Sequence, residues 1–178
     1  QNEQTTPLNS RLPYAVVKNV VESFLRSYKQ EFDLDYTIFR FFNTYGPKQS
    51  QDFVMSKFIN AAVNGKDITI YGDGSQTRTF CYRLDNVDAC ANAFYNNLHV
   101  NDTVNIGSDY EVSVLELAQM IIEITNSKSK IVYLPPLKEG DMTRRKPDIG
   151  KMRDLLGREL TTIPDGIRKT IESNQYHY

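Results

Sequence analysis

The chain has 178 residues, with 21 lysines and arginines against 22 aspartates and glutamates, for a net charge of −1 at neutral pH. That balance gives no electrostatic case for nucleic acid or for an anionic membrane surface. At 40% hydrophobic and 24% charged residues it has the composition of a globular domain long enough to bury a core, and no apolar run approaches the roughly 18–20 residues of a membrane span.

The chain opens on Gln1 with "QNEQTTPLNSRLP", a polar, turn-rich stretch in which Pro7 and Pro13 disfavour a long helix. No charged-then-apolar leader stands there. From Pro13 to Glu31, Val16, Val17, Val20, Val21, Phe24, Leu25 and Tyr28 recur at helical spacing, and Pro13 suits the first turn. "DYTIFRFF" (Asp35–Phe42) packs β-branched and aromatic residues as a buried strand does. "NTYGPK" reads as a turn. Phe53–Val63 is predicted as a helix stopped by Gly65, and Asp67–Gly74 as a strand ending in a glycine turn. Arg78–Arg83 looks extended, and Asp85 is placed to cap a helix running to Asn97. "DTVNIGS" is a strand. Ser113–Thr125 is a helix with Ser113 and Glu116 as its capping box, and "KIVYLP" is a further strand. Helices over Asp148–Leu156, capped by Asp148, and Pro164–Glu172 close the chain. Alternating helices and strands predict an α/β fold.

Cys81 and Cys90 fit no metal-ligand spacing, so no metal is expected. They read as free thiols of a reducing, cytoplasmic compartment. Tyr14 and Lys18 stand four apart, on one face of the first helix. A lysine ammonium beside a tyrosine hydroxyl favours the phenolate, which makes a general base for a sugar or alcohol hydroxyl. The spacing by itself fits equally a core-facing tyrosine and a solvated lysine.

The order of motifs is more specific. "PYAVVKNVVESFLRSY", "FRFFNTYGPKQ", "GKDITIYGDGSQTRTFCY", "DNVDACANAF", "VNIGS" and "EGDMTRRKPDIGKMRDLLG" follow one another from about Pro7 to Gly166. Together they resemble the C-terminal half of the extended short-chain dehydrogenase/reductase family, in its NAD-dependent nucleotide-sugar epimerase, dehydratase and decarboxylase branch. The resemblance implies the C-terminal part of a Rossmann-like doubly wound sheet plus a small nucleotide-sugar-binding domain. Residues 1–42 would end the dinucleotide-binding domain, and 43–178 would be mainly substrate domain, with 85–107 returning to the sheet.

It further implies that Tyr14 is the catalytic base and that Lys18 both tunes it and bonds the nicotinamide ribose of NAD. The substrate would be a nucleotide-diphosphate sugar, oxidised transiently at C4 by hydride transfer. Asn43 and Arg78 match residues that bind the diphosphate or ribose, and Tyr71 matches a position lining the nucleobase pocket. Arg144 or Arg145, in "TRRKPD", would close on the diphosphate. An amide and a guanidinium suit such oxygens. Without the family, Asn43 is also a fair turn residue, Arg78 a surface arginine and Tyr71 a packing residue.

Departures from the pattern are informative. Lys48 stands where arginine is common, and Arg83 and Leu84 stand where an apolar residue and a polar or acidic one are usual; Arg83 on a buried strand would need a partner. The glycine-rich fingerprint between first strand and helix is absent from the sequence. The family's Ser/Thr would lie upstream of Gln1, so the chain is expected to be the C-terminal half of a longer enzyme and inactive alone. The acidic residue beside that Ser/Thr would separate epimerase, 4,6-dehydratase and UDP-glucuronate decarboxylase, with a slight lean here to the decarboxylase and its epimerase relatives. An unpaired Asp35–Phe42 edge and the Tyr14 helix both favour a homodimer. Two other readings are a cofactor-less nucleotide-sugar-binding module and a structural interaction fragment.

Overall fold

The computed structural model describes residues 13–136 and 146–173, with the backbone alone for 13–15. In chain order the elements are α1 (Pro13–Phe32), β1 (Thr37–Phe41), β2 (Thr44–Tyr45), α2 (Val54–Val63), β3 (Ile68–Tyr71), β4 (Thr77–Thr79) and β5 (Cys81–Tyr82). Then come α3 (Arg83–Tyr95), β6 (Asp102–Ile106), β7 (Glu111–Ser113), α4 (Val114–Thr125), β8 (Ile131–Leu134), α5 (Gly150–Leu156) and α6 (Ile163–Glu172). The fold is α/β. Two compact units divide it, one of residues 1–38 with 99–103 and one of 39–98 with 104–178.

In the first unit, α1 follows the periodicity that predicted it and ends where Asp33 turns left-handed, at φ 53°. Lys29, in its last turn, bonds Asp33 at 2.6 Å and Asp35 at 2.8 Å. The helix leaves its apolar side chains uncovered. Val17 is 59%, Phe24 59% and Phe32 70% exposed, whereas Glu22 is buried. Asn101 ties in residues 99–103: its N–H donates to the Tyr36 carbonyl at 2.6 Å and its amide to Asp35 at 2.7 Å.

The expected buried strand Asp35–Phe42 is shorter and barer than predicted. β1 has five residues, and of these only Ile38 is buried. Among the described residues its one strand partner is β6, and its last two residues, Arg40 and Phe41, are exposed.

The second unit is built on three further strand pairs: β2 with β5 and β3 with β8, both parallel, and β4 with β7, antiparallel. Tyr45, Phe58, Ile59, Ile68, Ile70, Leu117, Ile121 and Ile167 form its main core, where α2, α4 and α6 bury their apolar stripes. Ala89, Val104, Ile106, Ile149, Met152 and Leu155 form a second cluster. Local signals set the helix ends. Ser113 Oγ accepts from the Glu116 N–H at 3.1 Å and Glu116 Oε2 accepts from the Ser113 N–H at 2.7 Å, the predicted capping box. Those bonds hold the Glu116 carboxyl below the usual carboxylate range. Gly65, at φ 64°, stops α2 as predicted.

Three expectations are corrected. The run Arg78–Arg83 is not one extended segment: it breaks at Phe80, and Arg83 opens α3 instead of lying on a buried strand. Arg83 still finds a partner, since its Nη1 donates to the Pro47 carbonyl at 3.3 Å, while its Nε is buried without one. Asp148 precedes Ile149, the residue at the N-cap of α5, and accepts from the Gly150 N–H at 3.0 Å as an Asx turn does.

Asp85 does not cap α3 either. It lies in the first turn, fully buried, and its carboxylate accepts from Arg158 Nη1 (2.8 Å), the Thr161 N–H (2.8 Å) and Thr161 Oγ1 (2.9 Å). A buried carboxylate with three donors, at the positive end of a helix, is well compensated. The half-exposed Arg158 also reaches Asp88 at 2.6 Å. Replacing Asp85 by Ala leaves the Thr161 N–H and hydroxyl without their acceptor and should lower stability to urea by about 3 kcal/mol. Asp88→Ala, which removes only the surface half of the same arginine's pairing, should cost under about 1 kcal/mol. Equal losses from the two would show that Asp85 is no anchor.

Candidate active site

Tyr14 and Lys18 occupy the first two turns of α1, on one helix face as their spacing requires. The Tyr14 side chain and residues Arg144 and Arg145 lie outside the described residues. Lys18 is exposed. Both helix residues belong to the first unit, and the remaining predicted site residues that can be described belong to the second.

In the second unit the chain leaves β1, turns at Asn43 in the left-handed region (φ 41°), and enters β2. Asn43 Nδ2 donates to the Thr79 carbonyl at 2.8 Å, and the Asn43 carbonyl accepts from the Cys81 N–H at 3.2 Å. This fastens the turn to the segment that carries Arg78. Arg78 sits mid-β4 opposite Val112, half-buried, with Nη1 donating to the Thr77 carbonyl at 2.7 Å. An amide and a guanidinium are thus joined through two consecutive residues, Arg78 and Thr79. Both are donors suited to anionic oxygens.

The neighbouring turn is held from a third direction. Asn86 Nδ2, in the first turn of α3, donates to Thr44 Oγ1 at 2.6 Å. Gly107 has Phe42 on one side and Pro147 on the other; a Cβ there would stand 2.9 Å from the Phe42 Cβ and 3.2 Å from the proline ring. Only glycine lets these two segments close on each other.

Segment 146–148 of "TRRKPD" is anchored to the same strands. Lys146 Nζ lies 3.8 Å from Glu111 Oε2, and Glu111 Oε1 accepts from Thr77 Oγ1 at 3.3 Å. Asn105 Nδ2 donates to the Asp148 carbonyl at 3.0 Å. Lys146, Glu111, Asn86 and Asn105 were not singled out from the sequence. Lys146 alone had a signal, its place in the basic run; the other three act through contacts distant in the chain.

Tyr71 ends β3, 40% exposed, with Lys57 Nζ 5.9 Å from its ring centre. A shallow depression of about 580 Å³ adjoins it, lined by Gly72, Asp73, Tyr133, Leu134 and Pro136. The ring that lines this hollow is that of Tyr133, 54% exposed; Tyr71 is only its neighbour in sequence, through Gly72.

Other reactive groups nearby are silent. Burial, and after it the charge of Asp85, pushes the Cys81 thiol up to about 12, so it is no thiolate at neutral pH. Burial also raises Cys90 and the Tyr45 phenol. Neither cysteine is in a disulfide. Among the described residues no group of three or more His, Cys, Asp or Glu is arranged for a metal ion, and no helix is long and apolar enough to cross a membrane.

Parallel strand pairs and intervening helices make this an α/β protein, and its relatives place it in the extended short-chain dehydrogenase/reductase class. The chain belongs to the NAD dependent epimerase/dehydratase family, whose model matches residues 1–107. It is 38% identical over 171 residues to the UDP-N-acetyl-alpha-D-glucosaminuronate decarboxylase of Bacillus cytotoxicus, covering 91% of this chain and 53% of that protein. Among solved structures, the UDP-glucose 4-epimerase of Thermotoga maritima, with UDP-glucose, aligns at TM-score 0.83 and 31% identity over 92% of this chain and 53% of that one. The UDP-glucuronic acid 4-epimerase of Bacillus cereus, in complex with UDP-glucuronic acid and NAD, aligns at TM-score 0.81 and 28% identity, over 93% and 53% respectively. The chain therefore spans about half the length of these proteins.

If the Gly107 contact sets the Asn43 turn, Gly107→Ala must push Phe42 away and should change the amide NMR shifts of Asn43, Thr44 and Thr79 while leaving those of β3 and β8 in place. Shifts confined to residues 105–109 would show the contact to be unimportant for the turn.

Proposed function

We infer that this chain is the substrate-binding part of an NAD-dependent enzyme that acts on a nucleotide-diphosphate sugar by transient oxidation at C4. The single observation that supports this most is the bond from Asn43 to the Thr79 carbonyl, which fastens the turn to the strand of Arg78. Lys146 is anchored to the paired strand at Glu111. Asn43 and Arg78 would hold the diphosphate, with Arg144 or Arg145 closing on it, and Tyr71 would pack on the base. Bidentate guanidinium contacts fix such a group in orientation as well as in place.

On α1, Tyr14 would take the proton of the sugar hydroxyl, with Lys18 lowering the cost of its phenolate. NAD, when bound, supplies a hydride acceptor that returns what it took. Only the nicotinamide end of that cofactor has candidate partners in this sequence, Tyr14 and Lys18; no glycine-rich cradle for its phosphates occurs in the 178 residues. We therefore expect this chain alone to be inactive. A 4-keto sugar leads to epimerisation, dehydration or decarboxylation alike, and the relatives carry all three names, so they support the shared first step without favouring one outcome.

A second reading, a nucleotide-sugar-binding module without cofactor, is favoured by one observation: Asn43, Tyr71 and Arg78 all lie in a unit with its own apolar core. Calorimetric titration separates the readings. UDP-glucose should bind the isolated chain, and Arg78→Ala should weaken it at least about tenfold, since a charge-assisted contact of about 1.5–3 kcal/mol is lost; Arg78→Lys should recover only part. Failure of UDP-glucose to bind, or binding indifferent to Arg78 and Asn43, would overturn both readings. NAD affinity that rises when UDP-glucose is present favours the enzyme, and indifference to NAD the module.

We also place a homodimer contact on α1, whose exposed Val17, Val20, Val21, Phe24 and Tyr28 need cover. Sedimentation should give a dimer for the chain and a monomer for Phe24→Glu. A monomeric parent chain sinks this assignment.

A further inference from the structure

A cavity of about 550 Å³ opens in the second unit, and none of Asn43, Tyr71 and Arg78 lines it. Four stretches of chain enclose it: Phe80, residues 108–110, Met120 on α4, and the end of α5 with the connection into α6. The volume lies in the range of small-molecule sites, roughly 300–1,000 Å³. We propose that it is a second ligand site, for an uncharged or cationic aromatic ring, and that it is not a second nucleotide site. This goes beyond the function proposed above and stands without it.

The floor is apolar. Phe80 and Ile163 are 6% and 5% exposed, with Met120 and Leu160 half-buried beside them. Phenylalanine and methionine give a flat, adaptable surface for a ring. Tyr110, 62% exposed at the lining, offers a second aromatic face.

The polar groups decide the sign of charge. Arg153 Nη2 is held by Asp109 Oδ1 at 2.8 Å, and its Nη1 lies 3.7 Å from Glu159 Oε2. Two carboxylates against one guanidinium leave the rim one charge negative, which repels a phosphate or carboxylate and attracts a cation. The lining serine and threonine hydroxyls each already make a hydrogen bond within the chain. Ser108 Oγ accepts from the Tyr110 N–H at 3.2 Å, Thr161 Oγ1 donates to Asp85 at 2.9 Å, and Thr162 Oγ1 donates to Asp165 at 2.7 Å. None of the buried polar atoms without a partner, Thr79 Oγ1, Arg83 Nε and Asn86 Oδ1, belongs to a lining residue. Recognition falls to the ring faces and to rim charge, including a cation over Tyr110.

The location gives such a ligand reach. Phe80 follows Arg78 by two residues, and Tyr110 precedes Glu111, which pairs with Thr79. Phe80 and Tyr110 directly flank the paired strands, so a ring contacting both would sit against the ends of the strand pair that carries Arg78.

The test is an NMR titration of the ¹⁵N-labelled 178-residue chain with two probes alike but for charge, tryptamine and indole-3-acetate. Tryptamine should shift the amides of Ser108, Tyr110, Leu160 and Thr161, with a Kd on the order of 1 mM. Indole-3-acetate should bind at least about fivefold more weakly, and Asp109→Asn should narrow that gap. Tyr110→Ala, at an exposed position that leaves the core intact, should weaken tryptamine about threefold or more. Absence of shifts at those four amides, equal response to both probes, or tryptamine binding unchanged in Tyr110→Ala would each overturn the proposal.

Discussion

The second unit depends most on one buried carboxylate. Asp85 cannot be hydrated where it sits, so it must find donors within the chain, and it finds them about 75 residues on, at Arg158 and Thr161. The connection between α5 and α6 is thereby fixed to the first turn of α3. The next residue, Asn86, holds Thr44 and with it the turn that begins at Asn43. One helical turn therefore sets both the closing segments of the chain and the turn on which the proposed diphosphate contact rests. Burying charge costs free energy, and its return here is positional: three donors fix the carboxylate in one orientation, where an apolar contact would tolerate several.

What could be read from the sequence was what is decided locally. The Ser113–Glu116 box, Gly65 at the end of α2, and the spacing in α1 are governed by residues within a turn of each other, and each appears as expected. β3 and β8 were legible for a similar reason, as short β-branched runs between turns. The two-residue β2, the three-residue β7 and the break at Phe80 have no such signal, because long-range pairing makes them. Asp85 illustrates the limit. Its residue type and place before a helix suggested a cap, and the deciding fact, the donors of residues 158 and 161, is invisible in the neighbouring sequence. For the site, resemblance to a family singled out Asn43 and Arg78; the network that joins them, through Thr79, Thr44 and Asn86, had to be seen in three dimensions.

Exposure tells a complementary story in the first unit. α1 has the pattern of a helix with a face to bury, and among the described residues that face is bare; β1 has strand chemistry and, among the same residues, a single strand partner. Pattern records which side of an element is apolar, without recording what covers it. Bare apolar faces and unpaired edges are the features by which chains find partners, wanted or not.

The pairing of β3 with β8 carries a consequence in time. Ile68 meets Ile131 and Tyr71 meets Leu134, and Asp85 waits for Thr161. On a ribosome adding about 5–20 residues each second, the strand that ends in Tyr71 spends several seconds without its mate. α1 needs no such delay, since its bonds close within a turn and in about a microsecond. The helix of Tyr14 and Lys18 can therefore form as soon as its own residues emerge, whereas the second unit must wait for its last strand and for the donors of Asp85. During that interval the newborn chain shows its apolar surface and its unpaired strands together, which is when a chaperone would have most to hold.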